Sequence, residues 1–347
     1  MMQTRIVSMP KKKLTLVHFT DIRLQDHNPP SRLGSYRKDI LDKLRRVGDI
    51  GASYGASAYT CGGDWFHDKA PTKTSYSLSY ELGTILKSFG APVLTVLGNH
   101  DLRFDRTDTM PEQPIGSLLN GGIIKLQDGE ILREGGVSVR MAGFDFSEEP
   151  SLESISLKDE LKPLADYHVL SLHVYASPSG GTLYGKTRLF SYKELLTLGY
   201  DVILLGHYHS DQGVLKLTRD DGSSCHFVNI GSLSRGEYGD EVLNRVPKCC
   251  VVSFGKEEGV SFTEVPVGAR PASEVFDVQE KQEIKRKEQE AAKFVEQLKA
   301  ASMEKKEATV KSPEELLETV LVDDEAVLSK VRGFLETARA LISAGRR

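Results

Sequence analysis

Apolar residues fall into two rhythms along this chain. Short runs at 14–20, 56–61, 92–97, 167–173 and 200–205 are almost wholly apolar, and each leads directly into a glycine, an acid or a histidine. Runs of that length and density predict strands buried on both faces, the habit of central strands in a layered fold. Between them the period changes. Residues 35–47 carry Tyr36, Ile40, Leu41, Leu44 and Val47 on one stripe and predict an amphipathic helix, as do 75–89 and 189–198. Residues 121–146 read as short strands separated by turns. Past His209 the pattern becomes all-β. Segments 214–218 and 225–230 flank Asp220-Asp221-Gly222, and 248–254 and 260–265 flank a second glycine-bounded turn, so two hairpins are predicted. Alternating strands and helices followed by antiparallel strands predict an α/β fold of two packed β-sheets flanked by helices.

The pattern changes again after residue 266. Residues 267–275 read as a linker, and 277–290 are dense in alternating charge, with helical spacing continuing to about residue 303. Ser312-Pro313-Glu314-Glu315 has the form of a helix start. The last helix carries Val327, Leu328, Val331, Phe334, Leu335, Ala338, Leu341 and Ile342 on one apolar stripe, which either packs on its own domain or docks a partner. The expected organisation is a tail at 1–13, a folded domain at 14–266, the linker, and a helical region at 276–347.

Composition narrows the picture little. The chain has 347 residues, 39% of them hydrophobic and 27% charged, and a net charge of -4, the profile of an ordinary globular protein. That charge does not announce a nucleic-acid binder, though a local basic patch would suffice for one. No apolar run approaches a membrane span, and the basic N-terminus lacks the apolar core of a signal peptide. Cys61, Cys225, Cys249 and Cys250 follow no metal or disulfide spacing, which points to reduced packing residues in a cytoplasmic protein.

The chemistry sits at the strand ends. In order they deliver Asp21, Gly63-Asp64, Gly98-Asn99-His100-Asp101, His173 and Gly206-His207-Tyr208-His209. His207 and His209, two apart, would project to one side of an extended backbone. Asp101 is placed to orient an imidazole. The donors are oxygens and imidazoles with no thiolate, a set suited to Mn²⁺, Fe or Zn²⁺. An acid shared by two ions would hold them roughly 3.5–4 Å apart, the arrangement used to hydrolyse phosphoesters.

This order of motifs resembles the calcineurin-like metallophosphoesterase superfamily over residues 14–266. Within it, Gly63-Asp64-Trp65-Phe66-His67, the loop Asn28-Pro29-Pro30-Ser31-Arg32 and the segment Gly231-Ser232-Leu233-Ser234-Arg235 are similar to the SbcCD-type DNA repair nucleases. The resemblance implies a four-layer sandwich with a helical C-terminal extension. It implies Mn²⁺ as cofactor in a two-metal site, with Mg²⁺, Fe or Zn²⁺ as substitutes. Asp64 would bridge the ions, Asn99, His173 and His207 would hold one, and Asp21 and His209 the other. His100 and His67 would face the phosphate as catalytic residues, with Asp101 beside them. It further implies DNA as substrate, a coiled-coil SMC-like ATPase gripped by the C-terminal helices, a homodimer, and a nucleoid-associated place in the cytoplasm (of the host, if the source is viral).

One position departs from the pattern. The resemblance calls for Asp-x-His, and this chain has Asp21-Ile22-Arg23. Arginine has no lone pair to give a metal and brings its own charge. The ion at Asp21 and His209 is therefore expected to be weakly held or absent, unless His27 substitutes, or Arg23 instead contacts substrate phosphate. Arg32, Lys69, Arg103 and Lys186 are the other candidates for phosphate contacts. Two competing functions follow: a metallophosphoesterase acting on nucleotides or phosphoproteins, and a DNA-end binding scaffold whose catalysis Arg23 has impaired.

Overall fold

Every apolar run of the first half becomes a strand with both faces covered. The computed structural model describes residues 13–293, leaving out residue 31, residues 148–149, 184, 237–244 and 269, and several positions between 278 and 292. The apolar stripe at 327–342 and its partner-binding reading lie outside the described residues.

In chain order the elements are β1 (Leu14–Phe19), α1 (Tyr36–Tyr54), β2 (Ala58–Cys61), α2 (Tyr76–Lys87), β3 (Val93–Thr95), α3 (Pro114–Asn120), β4 (Lys125–Leu126), β5 (Asp128–Glu134), β6 (Val137–Phe144) and α4 (Leu152–Ile155). There follow β7 (Tyr167–Val174), β8 (Ala176–Ser177), β9 (Gly181–Leu183), β10 (Thr187–Ser191), α5 (Tyr192–Leu196), β11 (Val202–His207), β12 (Gly213–Thr218), β13 (Ser224–Asn229), β14 (Lys248–Gly255), β15 (Gly259–Pro266) and α6 (Ala272–Val275).

Two six-stranded sheets form, in the orders β15-β14-β1-β2-β3-β4 and β12-β13-β11-β7-β6-β5. The first has a parallel run β1-β2-β3-β4 with antiparallel β14 and β15 on its other side, and the second a parallel centre β6-β7-β11-β13 with an antiparallel strand at each margin. Alternation along the strands makes the layers. In β1, Leu14 and Leu16 face the second sheet while Val17 and Phe19 face α1 and α2. In β11, Val202 and Leu204 fill the space between the sheets, and Ile203 and Leu205 pack outward with Tyr192 and Leu195 of α5. Helix, sheet, sheet and helix are thus stacked around three apolar layers, the four-layer sandwich.

Three element boundaries differ from expectation. α1 runs to Tyr54, beyond Val47, because its interior glycines serve packing and do not end it. A Cβ on Gly51 would overlap the Tyr59 hydroxyl. The helix expected at 189–198 is only α5, since Ser191 and Glu194 form a capping box and Leu189 and Phe190 belong to β10. The stretch read as a linker is docked. Val267, Val275 and Phe276 are buried, and the backbone N–H of Leu33 donates to the Val275 carbonyl at 2.9 Å.

The chain divides into a unit ending at Lys281 and a second beginning at Gln282. Described residues of the second unit are helical, with Glu283–Lys287 and Arg286–Glu290 pairs one turn apart. All four cysteines are buried and free. Among the described residues no helix is long and apolar enough to cross a membrane.

One buried charge in α1 makes stability depend on pH. Lys43 is 8% exposed and its Nζ donates to the Leu233 carbonyl at 2.9 Å. Burial, then the charges of Arg245, Arg32 and Arg235, push its pKa down from 10.5 to about 7. Between those values the unfolded chain binds a proton that the native chain does not, so stability rises with pH. Relative to Lys43→Met, the native chain should gain roughly 2 kcal/mol of unfolding free energy between pH 7 and pH 9. Urea titrations at both pH values measure it, and parallel responses of the two proteins would refute it.

Candidate metal centre

The parallel strands β1, β2, β3, β7 and β11 deliver Asp21, Asp64, Asn99, His173 and His207 to one edge of the two sheets, the carboxyl ends where such folds place their chemistry. The backbone there is unusual. Six described non-glycine residues hold a positive φ, and four of them are Asp21 (52°), Arg23 (51°), Asp64 (57°) and His207 (80°). Strain concentrated in this way marks a site that the surrounding structure over-determines.

His207 corrects the expectation for the histidine pair. Its positive φ turns the chain at the end of β11, so His207 and His209 do not share one side of a strand. His207 joins Asp64 and His173, while His209 joins Asp21 and Asp64, and in each trio the donor atoms lie within 4.8 Å of one another. Asp64 is common to both. His173 Nδ1 donates to the Gly62 carbonyl at 2.6 Å, which leaves the Nε2 lone pair directed inward, 3.4 Å from Asp64 Oδ1 and 3.3 Å from Asn99 Oδ1. His209 Nε2 stands 3.3 Å from Asp21 Oδ1. Asp21 Oδ2 is held by the Thr20 hydroxyl at 2.7 Å and the His207 backbone N–H at 3.1 Å.

The donors fit a divalent cation. Both ring nitrogens of His207 are buried without a hydrogen bond, while Asp21 Oδ1 faces His209 Nε2 at 3.3 Å and Asp64 Oδ2 faces Arg23 Nε at 3.0 Å. Orphaned buried polar atoms such as those of His207 are rare, and the donors gather in two trios that share Asp64. Burial, then the neighbouring His173, pushes the His207 pKa down to about 2, so the ring is neutral and its lone pair available. Burial pushes the Asp21 carboxyl up, but His209, His173 and Arg23 together hold it well below the usual carboxylate range. Arg23 is at the centre itself, its Nε 3.0 Å from Asp64 Oδ2. His27 is exposed and in neither trio, and His18 is buried against the Thr60 hydroxyl at 3.1 Å.

His100 and His67 lie beside the trios, their ring centroids 5.5 Å apart. The His100 backbone N–H donates to Asp64 Oδ1 at 2.8 Å, and its Nδ1 donates to the His67 carbonyl at 2.6 Å. Nε2 is thereby the atom left for a substrate. Burial lowers the His100 pKa.

Asp101 needs a correction. It orients no imidazole. Its Oδ2 accepts from the backbone N–H groups of Asp64 (2.8 Å) and Gly98 (2.9 Å), and its Oδ1 from that of Trp65 (3.0 Å). It clamps the turns after β2 and β3 together and so fixes where Asp64 and Asn99 point.

The basic candidates separate. Arg32 is buried, paired with Asp39 at 2.6 Å and lying over the rings of Tyr36 and Phe276, so it fastens the 267–276 segment and is not a phosphate contact. Lys69 pairs with Asp105 at 3.5 Å, and Arg103 lies over Phe104. Lys186 is exposed between β9 and β10. A cavity of about 230 Å³ opens beside the centre, lined by Arg23, His67 and His209 together with Gln25, Asn28, Arg235 and Arg245. Arg245 donates to the carbonyls of Ser232 and Ser234. Sequence reasoning missed Arg245, Phe146 and Tyr175. The Phe146 and Tyr175 rings lie 5.1 and 3.7 Å from that of His207 and cover it. Phe146 could have been found by the rule that exposed the ligands, since it follows the end of β6.

No curated protein matches the chain. Among solved structures, NAD nucleotidase (NadN) of Haemophilus influenzae is similar at 15% identity with a TM-score of 0.47, covering 73% of this chain, which spans 50% of that one. Residues 14–211 match the family model described as calcineurin-like phosphoesterase, and that span holds every donor of both trios, so the chain belongs to the calcineurin-like phosphoesterase family.

Proposed function

We propose that this chain is a metal-dependent nuclease that hydrolyses phosphodiester bonds of DNA. The observation that carries the reading is the cavity beside the centre. It places Arg23 next to His67 and His209 in a basic wall, where Arg235 and Arg245 are anchored to the carbonyls of Arg270, Ser232 and Ser234, with no carboxylate among its described lining residues. A phosphomonoester needs one anion site, whereas a polynucleotide brings further phosphates along the strand, and arginines are the side chains that grip them.

A divalent ion bound by Asp64, His173, His207 and Asn99 would polarise a phosphoryl oxygen and make water a stronger acid. The chain's own residues do the rest. Asp64 holds one side of the centre and, through its Oδ1, the backbone of His100. His100, with Nδ1 committed to the His67 carbonyl, presents Nε2 to the phosphate or the leaving oxygen. Arg23, which lines the cavity beside the centre, is the cation placed to meet a phosphate there. Phe146 and Tyr175 exclude water from the His207 side. We also propose the coiled-coil ATPase as partner, on the resemblance of the sequence.

Linear double-stranded and single-stranded DNA incubated with the chain and Mn²⁺ should be cut, and chelation should stop it. Hydrolysis of mononucleotides or phosphopeptides with DNA untouched would replace this reading with the nucleotide or phosphoprotein alternative. Binding of DNA ends without cutting would favour the scaffold.

A further inference from the structure

Arg23 occupies ground that a second ion would need. Its Nε is 3.0 Å from Asp64 Oδ2, an oxygen of the carboxylate that the two donor trios share. The contact is built into the fold. The Arg23 backbone N–H donates to the Asp64 carbonyl at 2.9 Å, its carbonyl accepts from the Tyr36 hydroxyl at 3.0 Å, and its own φ is 51°. The side chain is 15% exposed and Asp64 is fully buried, so the pair is poorly screened. Two divalent ions plus a guanidinium would set five positive charges against the carboxylates of Asp21 and Asp64. One ion plus the guanidinium sets three, a far smaller imbalance for a buried site.

We infer that this centre takes one divalent ion, in the Asp64, His173 and His207 trio, and that the Arg23 guanidinium is the fixed second cation. Arg23 also lines the cavity, so it reaches the substrate phosphate from the side where the other trio would have placed an ion. The guanidinium can keep its charge against Asp64 and offer its N–H groups to phosphate oxygens. Asp21 and His209 then face each other across that side, and Asp21 Oδ2 positions the backbone of His207. The inference rests on the proposed function only in taking the substrate group to be a phosphate.

The test uses the full chain, stripped of metal and titrated with Mn²⁺. Binding is followed by calorimetry and by elemental analysis after desalting, and the loaded protein by electron paramagnetic resonance. The native chain should bind one equivalent tightly and give the spectrum of isolated ions. Arg23→His should bind close to two equivalents and give an exchange-coupled spectrum. Two tight equivalents in the native chain, none at all, or a coupled native spectrum would overturn the inference. So would an Arg23→His chain that melts as the native one does yet binds a single ion. If that variant fails to fold, the native stoichiometry and spectrum decide alone. A native chain that binds one ion and cuts no DNA sinks the substrate proposal and leaves this one standing.

Discussion

His100→Ala lowers turnover by about 10²- to 10⁴-fold, the range for loss of a positioned proton donor or acceptor, while the bound metal stays at the native level. The two readouts separate because His100 touches the centre only through its backbone. The N–H that donates to Asp64 Oδ1 is retained in alanine, so Asp64 keeps its orientation. What is lost is the imidazole, whose Nδ1 is tied to the His67 carbonyl and whose Nε2 is the atom aimed at substrate. KM should change far less than kcat if the ring acts mainly in the transition state. Steady-state kinetics with elemental analysis of the same preparation checks both. A matching loss of metal would make His100 a structural part of the centre.

Gly206→Ala is a severely damaging small substitution, expected to cost about 3 kcal/mol or more, at or above the usual range for forcing atoms into a packed interior. A Cβ there would overlap the Gly62 carbonyl oxygen and lie 2.7 Å from Thr20 Oγ1 and 2.9 Å from His173 Nδ1. Each neighbour serves the centre. The Gly62 carbonyl fixes the His173 ring, and the Thr20 hydroxyl holds Asp21. The glycine is thus where β11 of one sheet passes β2 of the other closely enough for both to reach the centre. The melting temperature should fall by about 6–12 °C, and Mn²⁺ should restore little of it. Thermal melts with and without Mn²⁺ measure this. A variant with native melting and native metal affinity would show that the two sheets can part at this point without cost.

The layered fold and most of the centre could be read from the chain because their signals are local. Strand β11 announces itself by four consecutive apolar residues, and the same rule found the exits of β1, β2, β3 and β7. Backbone geometry was harder. Nothing in Gly206-His207-Tyr208-His209 signals the positive φ of His207, because histidine ordinarily avoids it and only the surrounding contacts impose it. Arg32 was misread for a related reason: it lies on a polar loop, and its burial comes from Phe276, which is 244 positions away and beyond the apparent linker. Arg245 belongs to a loop without periodicity, where no pattern separates a cavity residue from a solvated one. Arg23 is the opposite case. Its chemistry alone brought a positive charge to the expected metal position, and that charge lies 3.0 Å from Asp64 Oδ2.

Asp64, His173 and His207 would hold the divalent ion with which the proposed phosphodiester hydrolysis stands or falls. The direct measurement is release of nitrophenol from bis(4-nitrophenyl) phosphate by the metal-stripped chain, before and after addition of Mn²⁺, with His207→Ala alongside. Hydrolysis that appears with Mn²⁺ in the native chain and is absent from His207→Ala is the predicted result. Equal rates with and without metal, or an unaffected His207→Ala, would contradict it.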